Sequence, residues 1–196
     1  MILYNKEDLE NLVREYKESV KHEFSVLAKK REFQAMAKSA IFALHRKEKS
    51  KSEKILKRLE EYCKKIKDLT LFSDFLEEFF EAELFYYFIK EKRILDRSFF
   101  INLLDVKDKD SLKKLNEIYI GSLSDFTGEL VRLSVNSAIK EKYEIVKESK
   151  ECVELIYSYL VKCDLGGELR RKFDSIRWNL DKINELLLRK NEGKHY

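Results

Sequence analysis

A chain of 196 residues and 23.5 kDa is one ordinary domain's worth of polypeptide, or two small ones. Its 44% hydrophobic and 12% aromatic residues suffice for a sizeable core, which excludes disorder as its main character despite 39% charged residues. The formal charge of +4, with a pI near 8.7, is mildly basic, so any nucleic-acid binding must depend on where the charges cluster.

There is no proline, and the first of only five glycines is Gly121. Hairpins, sandwiches and Rossmann crossovers need turn residues that the first 120 positions lack, and a phosphate loop or dinucleotide fingerprint needs glycines. The expectation is an all-α protein with long helices. From Asn5 to Lys47 apolar residues recur at spacings of three and four, among them Leu12, Tyr16, Phe24, Phe33, Ala37, Ile41 and Leu44. This predicts one very long helix with Asn5 as cap and Asp8 near the capping-box position. After the hydrophilic break "HRKEKSKSEK", a second helix is predicted over Ser52–Lys67. A third follows over Ser73–Glu91 with Ser73 as N-cap. A short helix near Arg97–Leu104 comes next, then a fifth capped by Asp110 or Ser111 and running to about Lys142. A sixth, Tyr143–Cys163, ends at the glycine stop "DLGG", and a seventh runs from Gly167 to Lys190 before a frayed "NEGKHY" tail. With no internal repeats and no linker long enough to divide domains, the expectation is seven helices in a single domain spanning 1–196.

Cys63, Cys152 and Cys163 have no paired spacing, and His22, His45 and His195 are scattered, so neither a zinc site nor a disulfide frame is indicated. "MILYNKEDLE" does not read as a signal peptide, and no uncharged apolar run is long enough to span a bilayer. A cytoplasmic protein with no membrane partner is expected.

The third helix, "SDFLEEFFEAELFYYFIK", is apolar almost all round, so neighbours should cover every side of it. At about 100° per residue, Glu78 and Glu81 share a face with Ala82, Phe85 and Ile89, while Glu77 and Glu83 point elsewhere. On the fifth helix Gly121, Asp125, Gly128, Glu129, Arg132 and Asn136 form one stripe. If the two faces meet, four carboxylates converge beside Arg132. Buried acids of this kind need pairing, protonation or a metal. One reading is salt bridges to Arg132 and scattered lysines. The other is an oxygen-only site for a hard cation, Mg²⁺ or Mn²⁺. A ferritin-like di-iron bundle requires Glu-x-x-His pairs that are absent.

The segments "LEEFFEAELFYYFIK", "LSDFTGELVRLSVNS" and "LRRKFDSIRWNLDKINELL" resemble the translin/Trax superfamily, and "KSAIFALHR" is similar to a segment of Trax. The similarity extends from about Phe24 to Leu188. Trax carries Glu-x-x-Glu-Ala on the third helix and Asp-Leu-Thr-Gly-Glu on the fifth. Here these read Glu78-Phe79-Phe80-Glu81-Ala82 and Asp125-Phe126-Thr127-Gly128-Glu129. The resemblance implies a translin-like helical bundle. It implies an Mg²⁺-dependent endoribonuclease (Mn²⁺ as substitute) with Glu78, Glu81, Asp125 and Glu129 as catalytic and metal-ligating residues. It also implies a hollow homo-octamer, Trax-like and archaeal in type, that encloses single-stranded RNA, with single-stranded DNA as a further partner. The contrasting reading is a non-catalytic single-strand-binding shell of the translin type.

Three basic runs could serve RNA: His45–Arg58, with seven basic residues against two acidic, "AKKR", and "LRRKFDSIR". Each can equally be a solvated helix face. Lys38, His45 and Arg46, inside the Trax-like segment, together with Arg170 and Arg171, are the candidate RNA-side residues. Arg132 is placed either to neutralise the acids or to hold a phosphate. Phe85, Tyr86 and Tyr87 read as core or subunit interface rather than base-stacking platforms.

Overall fold

The computed structural model describes residues 6–192, less the side chains of His22, Asn191 and Glu192. The described residues form α1 (Lys6–His45), α2 (Lys49–Cys63), α3 (Ser73–Glu91), α4 (Arg97–Leu103), α5 (Lys109–Ala138), α6 (Tyr143–Leu160) and α7 (Gly167–Glu192), with no strand among them. The all-α expectation and the order of elements hold. Asn5, expected as the first cap, and the last four residues, His195 included, lie outside the described residues.

The helix ends show how a glycine-poor chain turns. Lys47, Lys92, Asp105 and Glu141, just past the ends of α1, α3, α4 and α5, take φ values of 64°, 57°, 50° and 56°. These are left-handed conformations normally given to glycine, at a cost of roughly 1–2 kcal/mol each for a side-chain-bearing residue. Several expected boundaries move accordingly. The second helix starts at Lys49 and stops at Cys63, the fifth stops at Ala138, and the sixth stops at Leu160. The "DLGG" glycines therefore do not stop α6. Gly167, at φ 57°, instead opens α7. The cap of α5 is Asp108, whose carboxylate accepts from the Ser111 amide at 2.8 Å, rather than Asp110 or Ser111. Ser73 is not a cap either. Phe72 holds the N-cap position of α3, and the Ser73 hydroxyl donates to the Thr70 carbonyl at 3.0 Å.

α3 lies against α1, α2 and α5, while α5 packs against α3, α6 and α7. Enclosure on several sides explains why α3 is apolar around most of its circumference. Phe75, Phe79, Phe80 and Phe85 are fully buried, and Phe80 stacks on Phe100 with centroids 3.8 Å apart. Each such ring contributes about 1.5–3 kcal/mol of burial. Phe85 and Tyr86 belong to this core, and Tyr87 packs at its edge. Small residues on α5 let α3 approach closely. The buried Ser122 hydroxyl donates to the Glu77 carbonyl at 3.0 Å and to the Ile118 carbonyl at 2.8 Å, which fixes the register between the two helices at the level of the acids.

The apolar stripe of α1 is buried only in its C-terminal part. Ala37, Ala40, Ile41 and Leu44 are enclosed by α2 and α3, but Leu12, Tyr16 and Phe24 are 60%, 68% and 69% exposed. Among the described residues, nearly all of the first turns of α1 are exposed. No helix among the described residues is long and apolar enough to cross a membrane. Cys63, Cys152 and Cys163 are all free thiols, the first two buried.

Candidate active site

The two acidic faces meet. Glu81 is 9% exposed. Burial, then the nearby Asp125, Glu129 and Glu78 carboxylates, push its pKa up to about 9, with only Lys172 opposing them. The four acids singled out in the sequence therefore share one electrostatic environment. Glu81 is the member with no basic side chain at ion-pair distance among the described residues.

Each of the other three is bound by a lysine or histidine side chain. Lys38 Nζ lies 2.9 Å from Glu78 Oε1, and this bond holds the ammonium of Lys38 above its ordinary range. Lys172 of α7 lies 2.8 Å from Asp125 Oδ2 and also binds Glu77. Burial works against the charge of Lys172, and the hydrogen bonds it donates to Asp125 and Glu77 outweigh it, so its pKa is raised. His45, whose side chain is 5% exposed and whose ring packs 4.7 Å from Phe85, binds Glu129 through Nε2.

Glu77 corrects the sequence expectation that it points elsewhere. Its carboxylate lies against Gly121, where an added Cβ would stand 2.5 Å from Oε1, and it shares Lys172 with Asp125. Burial raises its pKa to about 6, against the pull of Lys172. The signal was present in the sequence. Glu77 and Glu81 are four apart on α3, and Gly121 and Asp125 are four apart on α5, so the glycine leaves the space that Glu77 fills. Lys172 was legible only as part of a basic run. Glu83 does point away, toward Glu60 of α2, and burial with that neighbour lifts it to about 8.

His45, one of the candidate RNA-side residues, is buried and bound to Glu129. Arg132 is 45% exposed, sits 3.9 Å from Glu129 and lies over the Phe42 ring at 4.9 Å. It is thus neither the buried counter-ion of the cluster nor remote from it. Lys38 is half exposed while bound to Glu78. Arg46 and Arg170 are exposed and paired with Glu48 at 2.8 Å and Asp174 at 3.0 Å, and Arg171 is exposed on the first turns of α7.

The donor set is all carboxylate, the chemistry that suits a hard divalent cation. In the conformation described, no three His, Cys, Asp or Glu side chains among the described residues stand at metal-binding spacing. Lys38, Lys172 and His45 each hold one acid aside.

No curated protein matches the chain. Among solved structures it is similar to apo-NeC3PO, at 26% identity over 97% of this chain and 99% of that one, with a TM-score of 0.78. It is similar in fold to AfC3PO (20% identity, 96% and 100% coverage, TM-score 0.76). It also resembles the AfC3PO–duplex RNA complex (18% identity, 95% and 97% coverage, TM-score 0.75). Residues 21–190 match the Translin family, and with the fold and the two acidic helices in place, the chain belongs to that family.

Proposed function

We propose that this protein is a divalent-cation-dependent endoribonuclease of the Trax type that cuts single-stranded RNA inside a closed homo-oligomer, an octamer. The observation that carries the reading is Glu81. It is a carboxylic acid buried among three other carboxylates, with no basic side chain at ion-pair distance among the described residues, where a salt-bridge network would supply one. The AfC3PO structure with duplex RNA supports RNA as the ligand class. The exposed apolar residues at the start of α1 support an assembly that covers them.

Glu78, Glu81, Asp125 and Glu129 would hold the ion. Bound Mg²⁺ or Mn²⁺ supplies an activated water and neutralises charge developing on phosphorus. The chain's own residues do the rest. His45 fixes the orientation of Glu129 through Nε2, and Lys172 fixes that of Asp125. Lys38 gives up Glu78 and is then free to meet a phosphate oxygen. Arg132, with its guanidinium over the Phe42 ring and nearly half its surface open, would meet a non-bridging oxygen. Arg46, Arg170 and Arg171 extend the phosphate contacts.

A second reading, RNA binding without cleavage, is favoured by the pairing of three acids with Lys38, Lys172 and His45. The two separate on Glu81→Gln. With the acid already neutral at pH 7, the amide should leave the melting temperature unchanged and RNA affinity intact. Mg²⁺-dependent cleavage of an unstructured RNA should fall at least a hundredfold. Cleavage that survives EDTA, or that Glu81→Gln leaves untouched, overturns the nuclease assignment.

A further inference from the structure

Lys38, His45 and Lys172 bind three of the four acids, and they are not equivalent. Among the described residues Lys38 binds only Glu78, and His45 binds only Glu129. Lys172 binds two carboxylates, donating to Asp125 Oδ2 at 2.8 Å and to Glu77 Oε1. Asp125 belongs to the four acids that would hold the ion, and Glu77 does not. Of the three basic side chains, Lys172 is therefore the one that can release an ion ligand and still keep a carboxylate.

Three features make Glu77 a built seat for that lysine. The carboxylate lies over Gly121, where a Cβ would stand 2.5 Å from Oε1, so a side chain at that position of α5 would displace it. The hydroxyl of Ser122, the next residue, donates to the Glu77 carbonyl at 3.0 Å and ties the backbone of α3 to α5 at the same level. Finally, a cavity of about 330 Å³ between the starts of α3 and α7 and the middle of α5 is lined by Glu77 and Lys172 and by none of the four acids. The Glu77–Lys172 pair thus reaches open space of its own, independent of Asp125.

An ammonium and a hard divalent cation seek the same carboxylate oxygen, and sharing it would place two positive charges within a few ångströms of each other. Asp125 Oδ2 therefore serves one or the other. We propose that Lys172 competes with the divalent cation for Asp125, and that Glu77 retains the lysine once the ion is bound. The inference rests on the metal-site reading above and deepens it. Lys172 orients Asp125 before the ion arrives, offsets part of the repulsion among the carboxylates, and sets the cation concentration at which the site fills. Lysine suits this part, since its ammonium is a point charge with three donors on a flexible stem and can serve two acids without a fixed geometry.

The test is Mn²⁺ binding to the full-length protein, by titration calorimetry at pH 8 with no RNA present. Lys172→Met should tighten binding at least tenfold. Glu77→Gln should weaken it at least tenfold, because the lysine is then left with Asp125 alone. In the Lys172→Met background the same Glu77→Gln change should cost less than about threefold, since no ammonium remains to be reseated. Mere loss of a nearby negative charge would cost as much in both backgrounds, so an equal cost overturns the part given to Glu77. An affinity that Lys172→Met leaves unchanged or lowers overturns the competition and leaves the lysine as an orienting group. Misfolding cannot imitate a gain in affinity, and Lys172→Gln takes the place of Lys172→Met if circular dichroism shows the latter unfolded. Glu81→Gln locates the ion. If it leaves Mn²⁺ binding unchanged, or if the parent binds no Mn²⁺, the metal-site reading falls and this proposal with it. Binding that Glu81→Gln weakens but Lys172→Met does not tighten removes this proposal alone.

Discussion

His45, in the last turn of α1, binds the Glu129 carboxylate of α5 through Nε2 across 84 positions of sequence. The contact ties the first helix to the acidic stripe and orients one of its carboxylates. His45→Phe keeps the ring packing against Phe85 but leaves Glu129 only the distant Arg132. Urea unfolding should show a loss of about 1–3 kcal/mol at pH 7, as for a half-buried acceptor deprived of its donor. The RNA cleavage rate should fall at least tenfold beyond any change in folded fraction. A variant as stable and as active as the parent would show that the contact has no orienting role.

Lys172 has a different part, since it holds two carboxylates together. Lys172→Met leaves Glu77 and Asp125 facing each other without a cation. The expected destabilisation at pH 8 is about 1–3 kcal/mol, below the range for fully buried pairs because the side chains are partly solvated. Glu77 titrates at about 6 even with Lys172 present, and removing the lysine moves it higher. A carboxyl whose folded pKa is raised weakens the fold above its unfolded value near 4.5. The penalty of the variant should therefore grow as the pH rises from about 4.5 through the raised folded pKa, above 6, and shrink as the pH falls toward 4. A pH-independent difference in denaturation midpoint would contradict the shared-cation geometry.

Glu83 offers a clean pH signature. It is 1% exposed, its Oε1 has no hydrogen-bond partner among the described residues, and burial, then the neighbouring Glu60, lifts it from 4.5 to about 8. Tyr86 and Tyr87 on its own helix also lie within its electrostatic reach. Because the folded pKa is raised, Glu83 costs the fold nothing below pH 4 and increasingly more up to pH 8. Glu83→Gln should match the parent at pH 4 and exceed it by a few kcal/mol at pH 9. Thermal melts across that range check it, and a gain at acid pH instead would reverse the assignment.

The two glycines of the α5 stripe should behave oppositely. A Cβ at Gly128 meets nothing nearer than Asn179 Nδ2 at 3.9 Å, so Gly128→Ala should gain up to about 1 kcal/mol of helix propensity. A Cβ at Gly121 would stand 2.5 Å from Glu77 Oε1 and 2.9 Å from its Cδ, so Gly121→Ala must displace Glu77 from Lys172. The second variant should be less stable than the first by at least about 1 kcal/mol despite the same propensity gain. Equal melting temperatures would mean that Glu77 does not occupy that space.

Composition and periodicity by themselves determined the helical class, the order of the elements and the four acids of α3 and α5. Absent proline and late glycine leave few alternatives to helix, and a period of 3.6 states which residues share one side of their own helix. Tertiary structure decided everything that depends on which helix faces which. It turned Glu77 inward onto Gly121, brought Lys172 from α7 between two carboxylates, and buried His45 against Glu129 where a basic run suggested an exposed residue. It also left the apolar start of α1 exposed, although its spacing matches that of the buried half. Periodicity records that a face is apolar or acidic, but the partner of that face comes from distant sequence. Only packing brings that partner within the 3–4 Å at which charges pair and burial shifts them.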